Sequence, residues 1–252
     1  MWFSQEDFYT IVYIWIAIAI IVFPVALFVT APYGRHTKEI GKMIPNKLGW
    51  IIMEIPSPVL CIYFFVTGTA DKTMFHYFFI SLFVFHYLNR TFIWPIRTKT
   101  KGKQMPLVIA FSAVFFNLIN GSINGYYLGN FATYELSWLY DPRFIIGMIL
   151  FFMGAYINIS SDNILLKLRK PGETGYKIPH GGLFKYVSAP NLFGEVIEWT
   201  GYAIATWSLP TASFAIWTFA NLIPRGMDHH KWYIRNFKDY PKERKAIIPK
   251  IW

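Results

Sequence analysis

The chain has 252 residues, of which 54% are hydrophobic, 20% aromatic and only 15% charged, with a formal net charge of +10. So little charge cannot cover a soluble domain of this length, which points to a lipid-embedded chain. A single cysteine, Cys61, excludes an intrachain disulfide, and with no Cys/His cluster no metal is expected.

Seven apolar segments of spanning length follow one another at about 8–31, 48–69, 74–95, 106–128, 144–165, 190–208 and 210–227. The first is too long for a signal-peptide core and lacks a basic flank and a small-residue cleavage site, so it reads as a helix. The last two are separated only by Ser208, Leu209 and Pro210, where the proline predicts a tight turn. The basic residues sort by side. Loops 32–47, 96–105 and 166–189 and the tail from Arg225 hold 21 of the 24 Lys and Arg residues. Lys72 and Arg143 fall on the other side, and Arg90 lies within a segment. The alternation predicts an all-α, multi-pass membrane bundle of seven transmembrane helices, with the N-terminus outside and the C-terminus cytoplasmic. A nucleic-acid protein would not sort its charge by alternate loops, so no nucleic-acid partner is expected.

Polar residues inside these segments are costly unless they meet a partner, a cavity or a ligand. In the second segment Glu54 precedes Pro56 and Pro58, so it is either satisfied by backbone groups freed at the prolines or turned to a cavity. The third carries His86, Tyr87, Asn89, Arg90 and Thr91 near its cytoplasmic end. Arg90 there can snorkel, and Tyr87 and Arg90, three apart, can share a helix face. In the fourth, Gly121, Gly125 and Gly129 form a small-xxx-small row suited to helix packing. The fifth ends with Asn158 and Asp162 four apart, followed by Arg169. An amide and a carboxylate there can take hydroxyl or amide groups of a ligand, and the arginine can grip phosphate. In the sixth, "NLFGEVIEW" sets Asn191, Glu195 and Glu198 on one face.

Two basic segments on the cytoplasmic side look built for a large anion, the alternative being contact with lipid headgroups. Residues 166–190 carry Pro171-Gly172, Gly175, Pro179 and Gly181-Gly182, and residues 228–252 mix Lys and Arg with Trp232, Tyr233, Phe237 and Tyr240. Neither contains GxGxxG or GxxxxGK[ST], so a nucleotide would not be held in Rossmann or P-loop fashion. His229 and His230 are adjacent and diverge by about 100° on a helix, a poor metal pair, whereas His229 and Tyr233 share one side.

The run "INISSDNILLKLRKPGETGYKIPHGGLFKYVSAPNLFGEVIEWTGYAIATWSLP" resembles the C-terminal half of steroid 5α-reductases, and the likeness continues through "HHKWYIRNFKDYPKERKAIIPKIW". Upstream, "MEIPS" and "FHYLNRTFIWP" are similar to that family's "QELPS" and "HYFHRTF" segments. The resemblance implies NADPH-dependent reduction of the Δ4 double bond of a 3-oxo-Δ4-steroid, by hydride transfer to C5. Carried over residue by residue, it implies that Glu54 and Tyr87 hydrogen-bond the 3-ketone. It places Asn158, Asp162, Arg169, Tyr176, Asn191, Glu195, Arg225, His229, Tyr233 and Arg244 around NADPH, with Glu198 supporting that face. It also implies one membrane domain over 1–252, with about 1–128 on the substrate side and 144–252 on the cofactor side. Such a protein would act as a monomer among membrane lipids on a steroid or another lipid enone, in the endoplasmic reticulum of a eukaryote or the inner membrane of a bacterium. Two positions depart from the pattern: Met53 stands where the family has Gln, and Asp228 where it has a third histidine. The alternatives are an isoprenylcysteine-type methyltransferase using S-adenosylmethionine and a sterol-binding protein without catalysis. Both leave the Glu54 and Tyr87 pair or the basic loops unexplained.

Overall fold

Backbone groups in an apolar run must satisfy one another, which makes helix the default for each of the seven segments. The computed structural model describes residues 2–99, 102–170, 173 and 175–251, and each of the seven segments is helical in it. In chain order the helices are α1 (Gln5–Phe28), α2 (Asn46–Glu54), α3 (Pro56–Thr67), α4 (Met74–Leu88), α5 (Trp94–Arg97), α6 (Leu107–Asn130), α7 (Pro142–Lys167), α8 (Pro190–Thr206) and α9 (Leu209–Asn236). Pro56 lacks an N–H to continue the ladder, so the second segment breaks after Glu54 and restarts as α3. The third segment leaves α4 through a π-helical turn, Asn89–Ile93, before α5. By length and composition, four stretches among the described residues can cross a membrane: α1, Asn46–Thr67, α6 and α7. α4 and α8 have 15 and 17 residues, and α9 ends among basic residues. The expected turn at Pro210 forms two residues earlier. Trp207 closes α8 in the left-handed region at φ 46°, Ser208 caps α9, and Pro210 sits in the first turn of α9. The turn expected at Pro171-Gly172 lies outside the described residues.

The chain forms two compact units, Met1–Val12 with Ala31–Trp138 and Tyr13–Thr30 with Leu139–Trp252. In the first, α3 and α6 run parallel. The glycine row meets backbone directly: Gly121 faces the carbonyl of Ser57, Gly125 that of Cys61, and Gly129 those of Phe64 and Phe65. The small-xxx-small row is therefore a packing face, as the spacing predicts. At one end, β1 (Met43–Pro45) pairs antiparallel with β2 (Gln104–Pro106), placing Ile44 opposite Met105. This ribbon is a short departure from an all-α chain, and it ties loop 32–47 to loop 96–105. At the other end, the Ala70 N–H donates to the Gly129 carbonyl at 2.9 Å, and the Trp2 and Phe3 N–H groups both donate to the Tyr126 hydroxyl.

In the second unit α7 and α8 are antiparallel and again pack through glycines. Gly154 faces Glu198 and Gly194, Gly194 faces Asn158, Gly201 faces Phe151, and Gly147 faces Ala205. The chain after α9 folds back on the loop before α8. Lys245 bridges Val187, the Ser188 N–H donates to the Lys245 carbonyl at 2.9 Å, and the Lys245 N–H donates to the Tyr186 carbonyl at 2.9 Å. The Ser188 hydroxyl lies 2.7 Å from His230 Nδ1 and 2.6 Å from the Tyr240 hydroxyl. Ile247 is buried with Ala189, Leu192 and Ile223.

A methyl group at residue 154 has no room against the α8 backbone. Gly154→Ala is expected to destabilise the protein by about 1–3 kcal/mol, the usual cost of overpacking, read as a lower melting temperature in detergent. An unchanged melting temperature would mean that α7 and α8 separate at no cost. At the tail, burial and the Lys245 ammonium hold His230 below the ordinary histidine pKa of 6.5. The unfolded chain therefore takes up this proton first, so stability is full above the ordinary value and falls as the pH drops beneath it through the folded-state value. Between about pH 8 and pH 5, His230→Gln should lose less melting temperature than the unchanged protein. Equal losses in the two proteins would assign the acid sensitivity to another group.

Candidate active site

Two polar clusters form within the apolar helices, one in each unit. In the first unit the break after α2 leaves Glu54 at a helix end, half-buried. Tyr87 comes from α4 and is 3% exposed. Its hydroxyl donates to Asn117 Oδ1 at 3.3 Å and accepts from Asn120 Nδ2 at 3.0 Å. Asn117 Nδ2 donates in turn to the Met53 carbonyl at 2.6 Å. Asn120 Nδ2 also reaches Ser57 Oγ at 3.4 Å, and Asn124 Nδ2 donates to the carbonyl of Asn120 at 2.9 Å. Asn117, Asn120 and Asn124 are all buried on one face of α6. The sequence reading above missed them, although three amides spaced three and four apart inside a spanning segment were the available signal.

Met53 enters this cluster only through its backbone. Its side chain packs with Met105 and Ala110, with Trp50 and Ile44 against them, so the position where the family has Gln faces an apolar cluster here. The guanidinium of Arg90 lies 5.1 Å from the ring of Trp50, whose Nε1 donates to the Arg90 carbonyl at 3.1 Å. Arg90 thus stacks on Trp50 of α2, while the Tyr87 hydroxyl bonds two amides of α6.

In the second unit the glycine contacts bring four of the residues singled out from sequence into one cluster. Asn191 Nδ2 donates to Asp162 Oδ1 at 3.0 Å. Asn158 Nδ2 donates to the Asn191 carbonyl at 2.9 Å and towards Glu195 Oε2 at 3.4 Å. Asp162 is 4% exposed and Glu198, a turn beyond Glu195, is 2% exposed. A carboxylate near a helix C-terminus is disfavoured by the helix dipole, and the Asn191 amide compensates Asp162 there. Such a cluster presents acceptors and amide donors to a ligand carrying hydroxyl and amide groups.

The remaining residues fall in the loop 166–189, α9 and the tail. Arg169 lies over the ring of Tyr176 at 5.3 Å, and Tyr176 meets Trp232 edge-on at 4.9 Å. Arg225, His229 and Tyr233 follow at successive turns of α9, Arg225 and Tyr233 buried and His229 half-buried. Tyr233 stacks on Tyr240 with ring centroids 5.0 Å apart. Arg244, 4% exposed, lies over Tyr240, donates to the Pro179 carbonyl at 3.0 Å and reaches His180 Nδ1 at 3.4 Å. Its guanidinium therefore fixes the turn at Pro179 and His180. Ser188 joins His230 and Tyr240 of the basic tail in this region; it was not singled out from sequence, since it is not a polar residue within an apolar run.

The family described as 3-oxo-5-alpha-steroid 4-dehydrogenase matches residues 103–252. The 3-oxo-5-alpha-steroid 4-dehydrogenase 1 of Homo sapiens is 44% identical over 220 residues, covering 86% of this chain and 85% of that protein. A steroid 5-alpha-reductase of Solanum lycopersicum is 40% identical over 258 residues and covers both chains completely, at 100% each. The 3-oxo-5-alpha-steroid 4-dehydrogenase 2 of Sus scrofa is 42% identical over 235 residues, 90% of this chain and 91% of that one. The resemblance read from the motifs is borne out, and the chain belongs to the 3-oxo-5-alpha-steroid 4-dehydrogenase family.

Proposed function

We propose that the protein reduces the Δ4 double bond of 3-oxo-Δ4-steroids to 5α-steroids with NADPH. The observation that carries this reading is the Tyr87 phenol, held inside an apolar helix group between two amides, one of which bonds the backbone of Met53, next to Glu54 at the helix break. Reduction at C5 of an enone drives negative charge onto the C3 oxygen. Tyr87, and Glu54 in its protonated form, would donate to that oxygen where little water competes. A preorganised donor of this kind is worth about 10²–10³ in rate.

NADPH supplies the hydride when bound. The donor set of the second unit fits it. Asn158, Asp162, Asn191 and Glu195 would hold its amide and hydroxyl groups, with Glu198 buried behind them. Arg169, on Tyr176, and Arg225, His229 and Tyr233 along α9 would meet its phosphates and rings, while Arg244 fixes the turn beside them. The paired loops support the sidedness read from the charges. Both ties between strongly basic segments, β1 with β2 and Val187 with Lys245, join segments assigned to the cytoplasm, whereas Ala70 and Gly129 join segments of the other side. The proposed arrangement is seven spans with the N-terminus outside and the C-terminus cytoplasmic, in the endoplasmic reticulum of a eukaryote or the inner membrane of a bacterium, acting as a single chain.

Purified protein should consume NADPH in the presence of testosterone or progesterone and give the 5α product. Glu54→Gln and Tyr87→Phe should each cut turnover about a hundredfold while NADPH still binds. Near-normal rates in both variants would remove them from the carbonyl. NADPH at about one hundred times its Kd should stabilise the unchanged protein by about 2.7 kcal/mol, and Glu195→Ala should lose most of that shift. A full NADPH-induced shift in the melting temperature of Glu195→Ala would leave the face between α7 and α8 as a purely structural one.

A further inference from the structure

We propose that Asn120 and Asn117 are positioning residues for Tyr87, one loading its oxygen and the other parking its proton. The inference rests on the reading that Tyr87 holds the substrate carbonyl. The Tyr87 hydroxyl donates to Asn117 Oδ1 at 3.3 Å, long for an O–H···O bond. Asn117 cannot turn away, because its Nδ2 donates to the Met53 carbonyl at 2.6 Å. The bond from the phenol to Asn117 is thus a weak one, next to the residue that precedes Glu54. A carbonyl at ordinary hydrogen-bond distance wins the phenol hydrogen, and more so as its oxygen becomes negative.

Asn120 acts on the same oxygen from the other side. Its Nδ2 donates to the Tyr87 oxygen at 3.0 Å, which polarises the O–H bond and stabilises charge that passes to the phenol oxygen. The amide cannot easily be lost to another orientation. Its Oδ1 accepts from Asn124 Nδ2 at 3.2 Å, and the neighbouring Gly121 sits against the Ser57 carbonyl. The donors therefore run in one direction, from Asn124 through Asn120 to Tyr87 and on to Asn117 and Met53. Each bond in such a chain strengthens the next.

The test is a double-mutant cycle on steady-state reduction in detergent. Asn120→Leu should lower kcat about tenfold, less than loss of the phenol itself because the amide acts through it, with KM within about twofold. In the Tyr87→Phe background, Asn120→Leu should cause no further loss. Equal losses from Asn120→Leu in both backgrounds would make the amide structural and overturn the inference, as would unchanged kcat in the single variant. Full turnover in Tyr87→Phe alone would instead overturn the role of Tyr87, and the inference with it. If Asn120→Leu does not assemble, Asn120→Ala removes the donor without added bulk and carries the same cycle.

Discussion

Backbone meeting backbone at glycine is the contact on which both polar clusters depend. In lipid, apolar side chains gain little by leaving one apolar medium for another, so helices are held by close packing and by polar contacts that close packing permits. Gly121, Gly125 and Gly129 bring α6 onto α3, and Gly147, Gly154, Gly194 and Gly201 bring α7 onto α8. The consequences are local. Asn120 adjoins Gly121 and reaches Ser57 and Tyr87 because that glycine seats α6 on the Ser57 carbonyl. Asn158 reaches Asn191 and Glu195 because Gly194 seats α8 on its backbone. A methyl group at either contact would open the distance that these short amide side chains span.

The clusters are built from amides more than from charges, and the physical reason is cost. A buried amide needs a few hydrogen bonds to offset desolvation, whereas an isolated buried charge costs far more. Asn117 and Asn120 bond Tyr87, and Asn124 bonds Asn120, three amides that carry no net charge. Where carboxylates are used, in Asp162 and Glu195, an amide from the facing helix donates to each. Networks of this kind keep a defined geometry, because breaking one bond leaves several buried groups short of partners. That rigidity is what a site must have if a donor is to wait for charge that develops only during reaction.

The soluble parts are organised by a different means. The stretch that follows α9 closes on the loop before α8 through backbone hydrogen bonds at Tyr186, Ser188 and Ala189, the Ser188 and Tyr240 hydroxyls, His230 and the buried Ile247. Arg244 is part of this closure. Its guanidinium spans Tyr240, Pro179 and His180, so a residue marked for cofactor contact by its sequence position also holds the turn in place.

The sequence by itself determined the helices, their order and the sorting of charge between alternate loops, because hydropathy and loop charge are local properties that survive without a fold. It also determined the family and most of the polar residues that matter: Asn158, Asp162, Asn191 and Glu195 stood out as costly groups within apolar runs, and the structure brings them together. Only the tertiary structure decided who partners whom. The direction of the Tyr87 hydrogen bond, the bonding of the three asparagines of α6 and the stacking of Arg90 on Trp50 follow from interhelical distances. The tail contacts of Ser188, His230 and Tyr240 join residues 42 and 52 positions apart, a pairing that no local pattern encodes. Periodicity names the face on which a side chain lies; the distance to its partner is set by glycines on another helix.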